Sequence, residues 1–506
     1  MIEVEAGDAK GLGPCEQAIL VTLLLAAFAL RAVCLDQPIV ENYVGRQVPT
    51  AMVARNLERG SGLLRPQLDT APLPNLFLVE PPVYAAAAVA LRRLTGLPLE
   101  PAGRLVSALG LTLGGWGLFG LARRRLGVRS ALIAVGALVV FPVTLRYGRA
   151  FQPDALMLGT LVAGLRCWDE REAGGRPRWL IAGWLLLATC LALKVVSAYL
   201  FVPLVIAILR PPRRGKVALA LSALVPALLW YVHAAFLLGE GGGSHASADN
   251  GAIWLRTLVP TALFRSATLG HIVRFTVVRA FTPLGFALGL GGLLCAGTAD
   301  RLWRTWGLAV LAAFAVLAAK LHHEYYWLAL APLAAVGVGR SLDALADRSQ
   351  CAAIALGAGL VALSAAQSAS TWRTPAEWLG LSAAARAVQA NVPSDAWIVA
   401  PEALLYAADR RGCRLEFPRA AARRAAGEWG EPDLPEGRLA LIEFYRAHGA
   451  RFVADVKGEE AGDPERLALH EAIRARYNVL VDSPGVLLAA LTDRTDVPED
   501  ADGFPR

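Results

Sequence analysis

Residues 179–216 read WLIAGWLLLATCLALKVVSAYLFVPLVIAILRPPRRGK: an apolar run from Trp179 to Leu209, broken by the single ammonium of Lys194 and closed by a basic, Pro-containing loop. As one helix the run would be about 46 Å long, against a hydrocarbon core of about 30 Å. It would also hold Lys194 at mid-membrane, at a cost of about 2.5–3.5 kcal/mol on insertion scales. Two short helices hinged near Lys194 let the ammonium reach an interface, although each half is then shorter than a full bilayer. The choice sets the sidedness of everything downstream. Other apolar runs lie at 16–35, 103–121, 130–146, 152–168, 217–237, 280–297, 303–319, 325–339 and 351–369. With the N-terminus inside and 179–209 split, the short inside loops carry Arg123, Arg124, Arg125 and Arg129, then Arg171, Arg176 and Arg178, then Arg210, Arg213, Arg214 and Lys216. Arg301 and Arg304, and finally Arg340 and Arg348, complete the set. Every short inside loop is then basic, as cytoplasmic loops should be. The same test demotes 81–95, which ends in Arg92 and Arg93, to an element lying in the outer interface.

The expectation is an all-α polytopic membrane protein of about eleven transmembrane helices, residues 1–370, with a cytoplasmic N-terminus, in the plasma (inner) membrane. Composition agrees: of 506 residues 55% are apolar and only 18% charged, which is a membrane balance. The net charge of +8 sits in loop clusters rather than along one solvated face, so it reads as topology and not as a nucleic-acid surface. Of the seven cysteines, Cys167, Cys190, Cys295 and Cys351 fall in or at the ends of apolar runs, and no C-x-x-C spacing appears. No disulfide framework or zinc site is indicated. The first run is long for a signal peptide, has only Lys10 before it, and is followed by no small-residue cleavage site, so it reads as a retained span.

Three outer regions remain: a first loop, 36–102; a second, 239–279, opening on a glycine run at 241–243; and the chain after 370. The glycine run lacks the Lys and Ser or Thr of a phosphate loop and reads as a linker. After 370, strand-like Ala396–Ala400, helical 439–448, strand-like Arg451–Val456, helical 465–476 and strand-like Asn478–Asp482 predict a small extracytoplasmic α/β domain over 371–491. Tyr406 to Gly412 reads as a turn after a short helix. The acidic end, 492–506, reads as a disordered tail.

Chemistry concentrates in the first outer loop. Glu41-Asn42-Tyr43-Val44-Gly45-Arg46-Gln47 leads into 47–58, a short amphipathic helix with Thr50, Val53, Ala54 and Leu57 along one side, and then Glu80-Pro81-Pro82-Val83-Tyr84. In order along the chain, Ala54-Arg55-Asn56-Leu57, Pro81-Pro82-Val83-Tyr84, Arg104-Leu105-Val106-Ser107-Ala108-Leu109, Gln152-Pro153-Asp154 and Tyr325-Tyr326-Trp327-Leu328-Ala329-Leu330-Ala331-Pro332 resemble the GT-C membrane glycosyltransferases. The resemblance is to the group that includes protein O-mannosyltransferases and the aminoarabinose transferases of lipid A. It covers roughly the first 340 residues and rests on motif order. Two positions depart from it. The acidic pair of the family falls on Arg46-Gln47, with Glu41 five residues upstream, and the family's Lys before Pro-Pro is Glu80.

The resemblance implies transfer of a sugar from a polyprenyl-phosphate donor to an acceptor hydroxyl on a glycan, lipid or protein, outside the cytoplasm, by one inverting displacement. No cofactor is required, and a divalent metal is optional because Lys and Arg can neutralise phosphate. The implied catalytic carboxylates are Glu41, as base, and Asp154, as its orienting partner. Arg46, Arg55, Glu80, Lys194, His322, His323 and Tyr325 are the implied substrate contacts. Each has a plainer reading: a loop carboxylate for Glu41, a favourable helix start for Asp154, a cap for Glu80, snorkelling for Arg46, Arg55 and Lys194, an aromatic belt around Tyr325. Adjacent His322 and His323 do not share a helix face, so they are no chelate. Two other functions compete: a transporter or flippase of lipid-linked glycans, and an inactive membrane scaffold. Polar clusters at the outer ends of spans rather than mid-membrane favour the enzyme.

Overall fold

Helices form along the apolar runs and stop where Pro, Gly or a charge interrupts them. The structure, a computed structural model, describes residues 12–209, 214–240, 244, 258–295, 300–415, 425–458 and 464–493. Lys10, Arg210, Arg213, the glycine run at 241–243 and the chain beyond 493 lie outside the described residues. The first eleven helices are α1 (Pro14–Ala29), α2 (Val44–Glu58), α3 (Val83–Thr95), α4 (Leu99–Leu126), α5 (Val128–Val140), α6 (Pro142–Tyr147), α7 (Asp154–Glu172), α8 (Arg178–Leu193), α9 (Ala198–Ile208), α10 (Arg214–Leu221) and α11 (Val225–Gly239). Further helices follow at Ser266–Arg274, Thr282–Cys295, Arg301–Val316, Ala331–Ala346 and Gln350–Ser368.

Among the described residues, Leu99–Leu126, Arg214–Gly239, Glu324–Ala346 and Gln350–Trp378 are each long and apolar enough to cross a membrane, and Ser266–Ala280 with Thr282–Leu294 makes a pair bent by 100°. The chain is therefore a multi-pass membrane protein. The figure of about eleven crossings needs the shorter apolar helices, including α1, α5 and α8, to be counted as well.

Contacts divide the chain into two units: 1–37, 80–235 and 251–372 form the first, and 38–79, 236–250 and 373–506 the second. In the first unit two helix pairs meet backbone to backbone. A Cβ on Gly159 of α7 would lie 1.8 Å from the Gly110 carbonyl oxygen of α4, and one on Gly337 would lie 2.0 Å from that of Gly289. Close approach of this kind is how helices associate in lipid, where apolar burial drives little. The break before Pro142 frees carbonyls that need other donors. Thr144 Oγ1 donates to the Leu138 carbonyl at 2.5 Å, and the buried Arg31 guanidinium reaches the carbonyls of Val139 and Thr144 at 2.9 and 3.1 Å. The interruption in the 179–209 run falls on Lys194 itself, whose backbone is extended (φ −156°, ψ 101°) between α8 and a 3-10 turn, Val195–Ser197, that leads into α9.

The second unit holds a five-stranded mixed sheet in the order β4-β3-β5-β7-β6, built from β3 (Trp397–Ala400), β4 (Gly412–Arg414), β5 (Ala450–Val456), β6 (Tyr477–Ser483) and β7 (Val486–Asp493). β4, β3 and β5 run parallel; β7 is antiparallel to β5 and β6. All five segments expected from the alternation after 370 are present as helix or strand, and β4 and β7 join them. β7 runs through Asp493, so chain order persists past the 492 boundary expected for a tail; its last residue pairs with Tyr477. Part of the first loop, 36–102, belongs with this sheet. A two-stranded ribbon in it, β1 (Gln67–Leu68) with β2 (Asn75–Leu76), precedes and follows a bridge from Thr70 to Gly412, and Ala71 joins the core of the C-terminal sheet. Helix α2 is a further correction. Gln47 to Ala54 and Asn56 are buried, so this is an embedded helix rather than one with a single apolar side on a membrane surface.

Asp455 on β5 ties the helix Pro464–Arg476 to the sheet. It accepts two hydrogen bonds from Arg466, at 2.8 and 2.7 Å, and is 2.8 Å from His470 Nε2. Burial opposes its charge, but the Arg466 and His470 hydrogen bonds outweigh it and hold the carboxyl below the usual range. A lowered folded-state value stabilises above the unfolded value and is lost as pH falls through it. The second unit should therefore lose thermal stability below about pH 4, and Asp455→Asn should cost about 3 kcal/mol at pH 7 while flattening that acid limb; a melt of the variant with an unchanged acid limb counts against the assignment. In the first unit, Gly159→Leu should abolish the α4–α7 contact, read as loss of a monodisperse protein after detergent extraction, while Gly136→Leu, against only a side chain at 3.8 Å, should be tolerated.

Candidate active site

Three sequence motifs meet in the first unit. The Tyr84 hydroxyl, from the Pro-Pro-Val-Tyr element at the start of α3, donates to the Gly103 carbonyl at 2.7 Å and is 2.9 Å from Ser107 Oγ on α4. Ser107 Oγ in turn donates to the Ala150 carbonyl at 2.6 Å, in the segment that runs into Gln152-Pro153-Asp154. Phe151 packs edge-on to Tyr84 and lies so close to Gly103 that a Cβ there would be 2.1 Å from its ring. The buried guanidiniums nearby on the chain reach backbone carbonyls and an amide oxygen. Arg104 donates to the Gln37 carbonyl at 2.8 Å, and Arg149 to Gln37 Oε1 and the carbonyls of Thr371, Val33 and Cys34. The motifs therefore fix the segment 149–154 from several sides.

What that segment presents is Asp154, the first residue of α7. Its Oδ1 lies 2.7 Å from Lys194 Nζ, and both side chains are buried. A lysine at a helix break has the freedom to turn its ammonium back toward a neighbour, and α7 packs on α8. The ammonium also lies 4.5 Å from the centre of the Tyr325 ring, a cation–π distance. Tyr325 continues the cluster: His323 stacks on it at 5.3 Å and 13°, and Tyr147 meets it edge-on at 6.1 Å. One residue along, Glu324 accepts from Arg146 at 2.7 Å and from Arg279. Arg146, Tyr147 and Glu324 are members that motif reading passed over. Glu324 lies in sequence between His323 and Tyr325, but nothing in its spacing pointed to Arg146.

Of the expected residues, Asp154, Lys194, His323 and Tyr325 come together here. His322 is exposed and packs only its ring on His323, at 3.9 Å, among the aromatic contacts of the described residues. Glu80 is half-buried just before α3. Asp154 was expected to orient Glu41; its partner is Lys194.

The second unit holds the others. Glu41 is 2% exposed rather than open to solvent, and its carbonyl accepts from Gln47 Nε2 at 2.5 Å. Arg46 lies over the Phe77 ring at 6.0 Å. Arg55 is a structural tie rather than a membrane-surface cation. It meets Asp69 at 2.5 Å and Asp409 at 2.9 Å, donates to the Tyr406 carbonyl at 2.6 Å and lies 4.5 Å over the Tyr406 ring. That cluster joins α2 to the Tyr406–Gly412 turn, where Asp409 takes φ 54°, and explains why the turn is charged. Among the described residues, no group of three His, Cys, Asp or Glu side chains is placed to hold a metal ion.

Removing one member of a buried ion pair leaves the other uncompensated, at about 3–5 kcal/mol. Lys194→Met should therefore destabilise strongly, and Lys194→Met with Asp154→Leu should recover most of that loss. Thermal melts in detergent read the cycle; additive single and double losses would show that the pair is not coupled.

Residues 79–237, less than half of the chain, match the family model described as dolichyl-phosphate-mannose-protein mannosyltransferase. No curated protein matches. Among solved structures, the chain is similar to ArnT from Cupriavidus metallidurans bound to undecaprenyl phosphate, with TM-score 0.61 and 15% identity over 96% of this chain and 99% of that one. It is also similar to the oligosaccharyltransferase AglB from Archaeoglobus fulgidus, in complex with an inhibitory peptide and a dolichol-phosphate, with TM-score 0.56 and 12% identity over 96% and 75%. A third likeness is to the arabinofuranosyltransferase AftD from Mycobacteria, with TM-score 0.55 and 16% identity over 96% of this chain and 40% of that one. At such identities the likeness is one of fold.

Proposed function

For a chain with the GT-C fold that is mannosyltransferase-like over residues 79–237, we propose transfer of a sugar from a polyprenyl-phosphate donor to an acceptor hydroxyl at the outer face of the inner membrane. The observation that carries this is the chemistry on either side of the break at Lys194. On one side is an ammonium held by Asp154. Two residues further along begins an apolar cavity of about 600 Å³, lined by Val196, Tyr199, Pro203, Thr305, Leu308 and Val316 among others. A charged head for phosphate followed by an apolar slot for isoprene units suits an amphiphilic phospholipid-like donor. It does not suit a free sugar nucleotide.

The displacement asks little of the protein. The acceptor oxygen bonds to the anomeric carbon as the bond from that carbon to the phosphate oxygen breaks, and the electron pair leaves with the phosphate. The acceptor proton passes to a carboxylate, and the anomeric centre inverts. Lys194 has three N–H donors and spends one on Asp154, so two remain for the developing phosphate charge. Asp154 holds that ammonium in place, which is a positioning role. Glu41 is the provisional base. No cofactor is needed for these steps, and a divalent cation is optional because Lys and Arg can neutralise phosphate. A cytoplasmic N-terminus, about eleven crossings and an outer C-terminal domain follow from the basic loops.

The test is sugar transfer by the purified protein in liposomes, from polyprenyl-phosphate mannose and polyprenyl-phosphate aminoarabinose, to lipid, glycan and peptide acceptors. Glu41→Gln should keep donor binding and lose turnover by about 10²–10⁴-fold. Lys194→Gln should weaken the donor response as well as the rate. Full transfer by Glu41→Gln with a dead but folded Asp154→Asn would move the base to Asp154, and full activity in both would remove the carboxylate mechanism.

A further inference from the structure

Gln152 is 0% exposed, yet among the described residues neither its Nε2 nor its Oε1 has a hydrogen-bond partner. A buried amide in that condition is a standing cost, and native proteins rarely keep one without a use for it. The backbone around it is anything but loose. Its N–H donates to the Ala150 carbonyl at 2.7 Å, and its carbonyl is within 3.4 Å of the Ser107 hydroxyl, itself held by Tyr84. Two residues on, beyond Pro153, the same pattern recurs: Asp154 Oδ1 is taken by Lys194, whereas the buried Oδ2 has no partner among the described residues. Three unused polar atoms, one donor group and two acceptors, thus stand within one rigid tripeptide.

From this arrangement we infer that Gln152 is a specificity-determining residue that binds a hydroxyl group on the sugar ring of the donor, with Asp154 Oδ2 accepting from a second polar hydrogen of the same ring. The inference rests on the donor reading above and adds a residue role to it. The choice of ligand follows from hydrogen-bond inventory. A phosphate offers acceptors only, so it would satisfy Nε2 and leave Oε1 and Asp154 Oδ2 unused. A hydroxyl both donates and accepts, and a ring carrying several of them answers a carboxamide and a carboxylate oxygen together. An apolar isoprene chain would answer neither. Phosphate then falls to the Lys194 ammonium, and the division of labour between charge and neutral amide is one of chemistry.

The experiment uses the full-length protein in detergent and reads thermal shifts with polyprenyl phosphate alone and with the same lipid carrying mannose, glucose or aminoarabinose. Wild type should respond to the bare lipid and more strongly to at least one sugar-bearing lipid. In Gln152→Met, which removes the amide at similar volume, the ligand-free midpoint should be equal or higher, because an unsatisfied polar group has gone. The response to bare lipid should persist, and the added response to sugar should vanish, equivalent to at least about tenfold weaker binding of the sugar-bearing lipid. A purely structural glutamine would do the opposite, lowering the ligand-free midpoint and leaving the sugar increment intact, and that result would overturn the inference. So would an absent sugar increment in wild type that still responds to the bare lipid. No response of wild type to any of the lipids would fell the donor reading, and the assignment of Gln152 with it.

Discussion

A buried ion pair organises the first unit. Lys194 cannot sit in hydrocarbon uncompensated, so the chain breaks helix at that residue and turns the ammonium onto Asp154. Asp154 begins α7, and Lys194 ends α8, so one contact of 2.7 Å sets how these two helices finish at the same end. Everything else in the candidate site is arranged around that contact. Tyr325 offers its ring face to the ammonium, His323 and Tyr147 pack on Tyr325, and Glu324 is held by Arg146 and Arg279.

The motifs that carry the family resemblance turn out to be largely supports. Tyr84, Gly103 and Ser107 touch one another and the segment before Asp154, through hydrogen bonds and a close ring contact. A site needs such a frame to hold reacting groups within a few tenths of an ångström. The supports constrain backbone approach: a Cβ on Gly103 would lie 2.1 Å from the Phe151 ring, and one on Gly159 would lie 1.8 Å from the Gly110 carbonyl oxygen. Arginines serve the same end. Arg31 and Arg149 are buried and bound to carbonyls, where five donors on one planar group close off the ends of broken helices.

The second unit has its own logic. A short mixed sheet needs cover, and part of that cover comes from far away in the chain: Ala71 in its core, Thr70 bridged to Gly412, and Arg55 clasping Asp69 and Asp409. Residues 38–79 thereby belong by contact with residues 373–506, far from them along the chain.

By itself the sequence determined the class of protein, the places where helices run, the break at Lys194 and the alternation of the C-terminal domain. Each of these depends on local chemistry: hydropathy over about 20 residues, one charge in an apolar run, and periodicity along a strand or helix. Motif order also pointed to Asp154 and Tyr325, the interrupted apolar run to Lys194, and the connection before Tyr325 to His323. Only tertiary structure decided which group each one meets. That Asp154 holds Lys194, that Arg55 answers Asp69, that α2 is embedded and that Glu324 belongs with Arg146 are contacts between residues 14 to 178 positions apart. A charge finds its partner through the folded path of the chain, and that path is set by close helix packing that no single stretch of sequence records.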